Sequence, residues 1–387
     1  MSKLKSILDF SKLDFVMIIM FLALSLFGLL ILASASVQFS DTISGSPLGF
    51  FLRQLFHFFI GIIFITLIVF IPLSFWEKYD RLLLFSGILL LGSVFIPGIG
   101  VEVNGANRWI RVAGFGLQPS EVMKFIAIVY ISAYSVRRIN DLQKSWFGFF
   151  RPAVLIVFIL SLILMQPDLG TSAVIFATVL GILFIAGVHL KQFVMVIGIA
   201  ILGIFNLIYW VPWRWERIIS FMDPWNDPFG SGYQLTLSLM SIGRGDWFGV
   251  GLGEGLMKMG YLPDAHTDFI FSVVVEEMGL LFGICIISLL FGLSFRCFYI
   301  AREALTKNIY FGFFASYGVA ILIGLHTFIN VGVATGMLPT KGLTLPFISY
   351  GGTNLLIMCA LIGLVLRIDY ETKVSMPVVH VARRAHF

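Results

Sequence analysis

The 387-residue chain has few charged residues and few cysteines. Charged residues make up 12% of the sequence and hydrophobic residues 59%, and the mean hydropathy is +0.98. These proportions exclude an ordinary soluble domain, in which about a quarter of the residues are charged. The three cysteines all lie in apolar runs, so neither a disulfide framework nor a cysteine metal site is expected.

Long apolar runs dominate the sequence instead. They predict an all-α polytopic membrane protein with about ten transmembrane helices. The runs cover residues 14–36, 55–75, 81–98, 119–136, 152–167, 169–188, 192–212, 268–295, 309–332 and 351–368. Only a short polar interval divides 152–188, so the count depends on that division. No small-residue cleavage site follows the first run, which is therefore expected to be a retained anchor.

The distribution of basic residues predicts the topology. Most of the 26 lysines and arginines fall on segments that share a side with the amino terminus, which indicates that both termini are cytoplasmic. We expect a cytoplasmic segment at 1–13, a membrane domain at 14–368 and a cytoplasmic tail at 369–387. A large outer loop at about 212–268 joins spans 7 and 8. The net charge of +5 then reflects contact with the inner leaflet, and no nucleic-acid partner is expected.

Ionisable residues cluster where the outer loop enters span 8. Asp264, His266 and Asp268 precede the apolar run, and Glu276 and Glu277 lie inside it. Charged groups in hydrocarbon are costly and are rarely kept without a role. For a helix that begins near Asp268, Glu276 is expected about 80° round and roughly 12 Å deeper, with Glu277 on the opposite side.

A second polar stretch, 104–121, predicts an extended hairpin that carries Arg108 and Trp109. An exposed loop is the alternative. Proline at 119 and Glu121 then indicate a helix start. Lys124, one turn deeper, is expected either to pair with Glu121 or to reach an anion above it.

Three further outer segments carry candidate residues. Asp168 follows Gln166-Pro167 and either only caps a helix or also acts at the site. The glycine run 243–255 beside Arg244 predicts either a phosphate-holding backbone or a flexible loop, after a short amphipathic helix at 233–242. The interrupted segment 330–353 brings Lys341 and Ser349 to the same side and is expected to line a cavity.

Taken together, several motifs in fixed order resemble the SEDS family (shape, elongation, division and sporulation). They are Asn-Arg-Trp-Ile with Gln-Pro-Ser-Glu, Gln-Pro-Asp-Leu-Gly-Thr, Leu-Pro-Asp-Ala-His-Thr-Asp-Phe-Ile-Phe and Pro-Phe-Ile-Ser-Tyr-Gly-Gly. The resemblance covers about 14–368, and segments 223–236 and 338–346 are more similar to cell-division members than to elongation members.

The resemblance implies a peptidoglycan glycosyltransferase. Such an enzyme polymerises lipid II into β-1,4-linked glycan strands on the outer face of the plasma membrane, here during septal wall synthesis. It works with a class B penicillin-binding protein transpeptidase and other divisome proteins. A flippase for lipid-linked precursors, an elongation polymerase of the same family and a scaffold without chemistry are the alternatives. The flippase would move substrate without joining sugars, and the scaffold would tolerate substitution of Asp268.

The resemblance also implies roles for residues at matching positions. Asp268 matches the essential aspartate and is expected to act as the base or as a ligand of a divalent ion such as Mg²⁺ or Mn²⁺. At matching positions, Arg108, Trp109, Lys124, Lys341 and Ser349 are candidate substrate-binding residues. The polar stretches described above add Arg244 and His266 as candidates. The pyrophosphate is expected to meet Arg108, Lys124, Arg244 and Lys341. Glu121 and Glu276 are candidate supporting residues. Residues 351–354 and His326 depart from the usual family pattern.

Overall fold

The computed structural model describes residues 9–103, 105–112, 115–340 and 342–375 of the chain. Apart from one 3-10 turn, the regular secondary structure of that part is fifteen α-helices and one small sheet. The helices are α1 Phe15–Ala35, α2 Val37–Ser44, α3 Gly49–Phe70, α4 Leu73–Ser93, α5 Pro119–Arg137, α6 Ile139–Lys144, α7 Trp146–Met165, α8 Leu169–Ile185, α9 Leu190–Tyr209, α10 Pro212–Met222, α11 Tyr233–Gly245, α12 Ile270–Met278, α13 Leu280–Thr306, α14 Tyr310–Ala334 and α15 Gly352–Val374.

The helices confirm an all-α polytopic membrane protein. Six of the described helices, α1, α3, α7, α13, α14 and α15, are long and apolar enough to cross a membrane by length and composition. Shorter or less apolar helices occupy the other predicted runs, and the count of ten spans remains a prediction. The helix bounds differ from those of the apolar runs. The run at 55–75 belongs to a helix that already begins at Gly49, and the helix of the last run extends to Val374.

The last helix, α15, lies at the centre of the fold. In its most apolar stretch 78% of the residues are buried inside the protein, against 28% for α3. Small residues allow α3 and α15 to approach closely. A Cβ atom at Gly61 would lie 2.6 Å from Sγ of Cys359, and one at Gly363 would lie 3.0 Å from the carbonyl of Ile65. The cysteines at 285, 297 and 359 are free thiols.

A three-stranded antiparallel sheet precedes α5. Its strands are β1 Gly100–Val103, β2 Ala106–Val112 and β3 Phe115–Leu117, paired in chain order. The predicted hairpin is confirmed as β2 and β3, and β1 was not predicted. Pro119 then begins α5, as expected for a residue that lacks the N–H that a first helical turn leaves unpaired.

The eighth predicted span is not one helix. Gly279, with φ +86°, separates the short α12 from α13. Backbone groups freed by this break pair with the preceding glycine-rich loop: Leu280 N–H donates to Asp246 O at 2.9 Å, and Val250 N–H donates to Glu276 O at 3.0 Å. Irregular backbone inside a membrane protein needs such internal partners. The glycine run therefore closes around the end of α12.

Glu276 and Glu277 lie at the far end of α12. That helix begins at Ile270, two residues after Asp268, and the expected angle and depth of the two acids stay predictions. Glu276 accepts from Arg244 at 2.7 Å, and Glu277 forms a buried ion pair with Lys258 and accepts from Ser34 at 2.8 and 2.9 Å. The two acids thus join the glycine-rich loop and α1 to the end of α12.

The close packing of α11 on α12 predicts opposite effects for two neighbouring glycines. A Cβ at Gly245 would lie 2.0 Å from Val275 O, whereas a Cβ at Gly243 would have no neighbour within 4 Å. We expect Gly245→Ala to destabilise the protein by about 2 kcal/mol or more, because backbone must move. Gly243→Ala is the matched control and should stabilise by up to about 1 kcal/mol, as alanine does in helices. Thermal unfolding in detergent measures both, and equal effects would contradict this packing.

Candidate active site

Backbone hydrogen bonds fix the segment that carries Asp268. Three consecutive carbonyls each accept from a donor on α14 or on the segment 335–351 between α14 and α15, called the last loop. They are His266 O from Tyr350 N–H at 2.9 Å, Thr267 O from Ser349 Oγ at 2.6 Å, and Asp268 O from Asn330 Nδ2 at 2.9 Å. Asn330 also donates to Leu343 O at 2.6 Å, so it joins this segment to the last loop. We call these three hydrogen bonds the carbonyl clamp.

The carboxylate of Asp268 lies just before α12 and has no hydrogen-bond donor among the described residues, and the residue is half-buried. Gly342 packs beside it, because a Cβ there would lie 2.9 Å from Oδ2. Burial raises the pKa of Asp268 to about 7, with further increases from Asp264 and Asp168, and Arg108 opposes them. A substantial fraction of this carboxyl is therefore protonated near neutral pH.

Arg108 is oriented towards this site by two backbone carbonyls. Its Nε donates to Gln166 O and its NH2 group to Pro167 O, both at 2.8 Å. No carboxylate of the described residues forms an ion pair with it, so its charge is not neutralised by a direct partner. The neighbouring Trp109 is partly buried, and its ring lies against Gly116 of β3.

Asp168 joins the two helix starts that follow the Gln-Pro pairs. Its Oδ1 accepts from Thr171 N–H at 3.1 Å, which caps α8, and its Oδ2 accepts from Ser120 Oγ at 3.2 Å and from Gln118 Nε2 at 3.3 Å. The capping prediction is confirmed. Because Asp168 also acts electrostatically on Asp268, these starts lie beside the site.

Lys124 is buried and paired with Glu121 at 2.7 Å, which is the first of the two arrangements expected from the sequence. Its Nζ also lies 3.0 Å from His326 Nε2, and the other oxygen of Glu121 accepts from Asn354 Nδ2 at 2.7 Å. This network joins α5, α14 and α15. The Lys124 charge thus stays inside the protein.

Arg244 and Glu276 form an ion pair with each other, and neither is among the charged groups that act on the Asp268 carboxyl. Oε1 of Glu276 also accepts from Leu256 N–H at 2.8 Å, and its Oε2 accepts from Ser241 Oγ at 2.9 Å. Arg244 and the glycine run therefore stabilise the end of α12, and the run's amides at 250 and 251 are used there rather than for phosphate.

His266 packs in an aromatic cluster. Its ring centroid lies 4.5 Å from that of Phe39, 5.3 Å from Phe50 and 6.0 Å from Tyr350. Burial lowers the pKa of His266 to about 4, so the imidazole is neutral at pH 7. It is not a cation for phosphate in this arrangement. Lys341 lies outside the described residues.

Sequence reasoning missed Asn330, Tyr350 and Gln54. Gln54 Nε2 donates to Ser349 O at 3.2 Å and so supports the carbonyl clamp from α3. The available signal was a polar amide inside an apolar run, since such groups seek buried partners. Both Asn330 and Gln54 meet that description, and both are buried.

Comparison with known proteins decides the family. The cell cycle protein family of FtsW, RodA and SpoVE matches residues 14–374. The chain belongs to this family. Relatives named probable peptidoglycan glycosyltransferase FtsW include proteins of Aliivibrio salmonicida, 44% identical over 92% of this chain and 88% of the relative, and of Pseudomonas fluorescens, 42% identical over 94% and 89%.

Solved structures of this family agree in fold. One solved structure concerns the structural coordination of polymerization and crosslinking by a peptidoglycan synthase complex. It matches with a TM-score of 0.77 and 26% identity over 93% of this chain and 98% of that chain. The rod shape determining protein RodA of Thermus thermophilus matches with a TM-score of 0.67 and 24% identity over 92% of this chain and 96% of that chain.

The residues around Asp268 set limits on a metal site. Within the described parts of the chain, no three His, Cys, Asp or Glu side chains are grouped to hold a metal ion. A divalent ion at Asp268 would therefore need backbone, water or substrate oxygens as further ligands, which Mg²⁺ and Mn²⁺ accept.

The raised pKa of Asp268 predicts how its removal affects stability. The folded-state pKa of about 7 exceeds the usual value of 3.8, so stability from the protonated carboxyl is present below about 4 and is lost as pH rises to 7. Asp268→Asn should therefore raise the unfolding temperature, by an amount that grows from pH 5 to 7 and then levels off. Asp41→Asn, at an exposed carboxylate, is the control. A difference independent of pH would contradict the assigned pKa.

Proposed function

We propose that this chain is a peptidoglycan glycosyltransferase that polymerises lipid II into β-1,4-linked glycan strands. The observation that carries the proposal is the Asp268 carboxylate, which lacks a donor among the described residues and is held beside Arg108. The names of relatives that are 42–44% identical over most of the chain support the same reaction.

Asp268 is proposed as the general base. The 4-hydroxyl oxygen of one sugar attacks C1 of another, the bond from C1 to the pyrophosphate oxygen breaks with inversion, and the hydroxyl proton moves to Asp268. A base with a pKa of about 7 suits proton abstraction near neutral pH. As a metal ligand instead, Asp268 would hold Mg²⁺ or Mn²⁺ against the departing phosphate.

The departing pyrophosphate needs cationic partners. Arg108 donates two N–H groups to the carbonyls of Gln166 and Pro167, and its remaining N–H groups are proposed to bind phosphate oxygens. Lys341 is proposed as a second contact and Trp109 as an apolar wall for the substrate. Ser349 and His266 are proposed to hold the Asp268 segment in place through the carbonyl clamp. Glu121 supports Lys124 through their ion pair.

The cellular setting is proposed from the same family. The synthase complex that this fold resembles coordinates polymerization with crosslinking, which supports a class B penicillin-binding protein as partner here. We propose that the chain works at the septum of the plasma membrane with other divisome proteins, its site on the outer side and both termini cytoplasmic. The FtsW relatives at 42–44% identity favour division over elongation.

The direct test is synthesis by the purified protein with lipid II, alone and with its transpeptidase. We expect Asp268→Asn to reduce glycan chain formation by at least about a hundredfold, because it removes both the basicity and the charge of the carboxylate. Gel analysis of the products measures this, and a flippase assay run in parallel tests the alternative. Wild-type rates in Asp268→Asn would contradict the proposal. Excess Mg²⁺ or Mn²⁺ that restores the variant would favour the metal role.

Arg108 gives a second test with a matched control. Arg108→Ala should lower kcat by about a hundredfold, the usual effect of losing one donor to developing charge. Arg111 lies on the same strand and is exposed, so Arg111→Ala should leave the rate near wild type. The initial rate of polymerisation measures both variants. Equal losses in the two would indicate a general charge effect at the sheet.

A further inference from the structure

The buried network around Lys124 contains a histidine to which no role has been assigned above. His326 lies in α14 with no exposed surface, and its two ring nitrogens face different elements. Nε2 lies 3.0 Å from Lys124 Nζ on α5, and Nδ1 lies 3.2 Å from Thr344 O in the last loop. One side chain therefore links α5 to the loop that packs on Asp268.

The two contacts determine the tautomer. A lysine ammonium has three donors and no acceptor, so Nε2 must accept its hydrogen bond. Nδ1 then carries the ring proton and donates it to Thr344 O. A hydrogen bond made by one ring nitrogen fixes what the other can do. The Thr344 carbonyl thus keeps the Nε2 lone pair directed at Lys124.

The position of Lys124 connects this arrangement to the residues around Asp268. Lys124 lies one helical turn below Ser120, whose hydroxyl donates to Asp168, and Asp168 acts on the Asp268 carboxyl. Thr344 lies two residues from Gly342, which packs on Asp268.

The Lys124 ammonium is oriented by two acceptors. Glu121 accepts one of its N–H groups at 2.7 Å and His326 a second, so the direction of the third N–H is fixed by these two.

We propose that His326 is a positioning residue that fixes the Lys124 ammonium beneath the Asp268 site, with Thr344 O selecting the tautomer that accepts from it. The inference rests on the proposed glycosyltransferase function. It assigns His326 no contact with substrate. Its effect on the reaction passes through the placement of the start of α5, because Lys124 is paired with Glu121 there and Ser120 at that start donates to Asp168.

The two nitrogens can be tested separately, because amide side chains match one or the other. In His326→Gln, Oε1 occupies the region of Nε2 and accepts from Lys124 without any tautomer requirement. In His326→Asn, the shorter amide matches Nδ1, so it keeps the Thr344 contact and loses the Lys124 contact. His326→Leu loses both. Thr327→Val is the matched control, since Thr327 is equally buried and, among the described residues, its hydroxyl bonds only within α14, to Ile323 O at 2.9 Å.

We expect His326→Gln and Thr327→Val to polymerise lipid II within about threefold of wild type. His326→Asn and His326→Leu should lose at least about tenfold in kcat with little change in KM, because a displaced start of α5 moves Asp168 and Asp268 rather than the groups proposed to bind substrate. Unfolding temperatures are measured on the same preparations. If the Leu variant does not fold, the Gln and Asn comparison decides alone.

Several results would overturn the inference. They are an Asn variant as active as the Gln variant, a Gln variant as impaired as the Leu variant, and losses of activity that follow the losses of unfolding temperature across the series. Wild-type protein that forms no glycan with its transpeptidase would contradict the proposed function itself. An active wild type with the wrong order of variants would contradict only the role of His326.

Discussion

The carbonyl clamp is the constraint on which the candidate site depends. Buried carbonyls need donors, and those of His266, Thr267 and Asp268 receive theirs from Tyr350, Ser349 and Asn330. The backbone is thereby fixed on three successive residues, while the Asp268 carboxylate has no donor among the described residues. A carboxylate held rigidly and poorly solvated has a raised pKa, which is the state that a base near neutral pH requires.

Three other cations among the described residues form ion pairs with buried glutamates. Lys124, Arg244 and Lys258 are each neutralised by a buried glutamate, at 121, 276 and 277 respectively. Breaking such a pair leaves an uncompensated buried charge at a cost of about 3–5 kcal/mol, so these residues stabilise the bundle whatever else they do. Arg108 differs, because carbonyls orient it without cancelling its charge. It is therefore the described cation best placed to meet a phosphate beside Asp268.

The sequence predicted the features that depend on nearby residues. Pro119 beginning α5, Asp168 capping α8 and the hairpin of β2 and β3 follow from local backbone chemistry, and all three are confirmed. The position of Asp268 before a helix also followed from its place at the end of a polar stretch.

Features that depend on distant residues were not accessible to sequence reasoning. Arg244 and Glu276 are 32 residues apart, and Lys124 and His326 are 202 apart, so tertiary packing alone decides these partners. The break at Gly279 was missed because apolar residues continue through it, and its backbone partners come from the glycine run. The sequence predicted that this run either holds phosphate or is flexible. Its contact with α12 depends on residues distant in the chain, so the local sequence did not indicate it.

The most direct test of the central claim is the pH dependence of polymerisation. Single-turnover rates on lipid II, measured from pH 5.5 to 8.5 with wild-type protein and its transpeptidase, report the ionisation of the group that the reaction needs. A carboxylate with a pKa of about 7 predicts a rate that rises with pH, reaches half its maximum near 7 and levels off above it. A rate that is constant across this range, or that falls as pH rises, would contradict a reaction that depends on ionised Asp268.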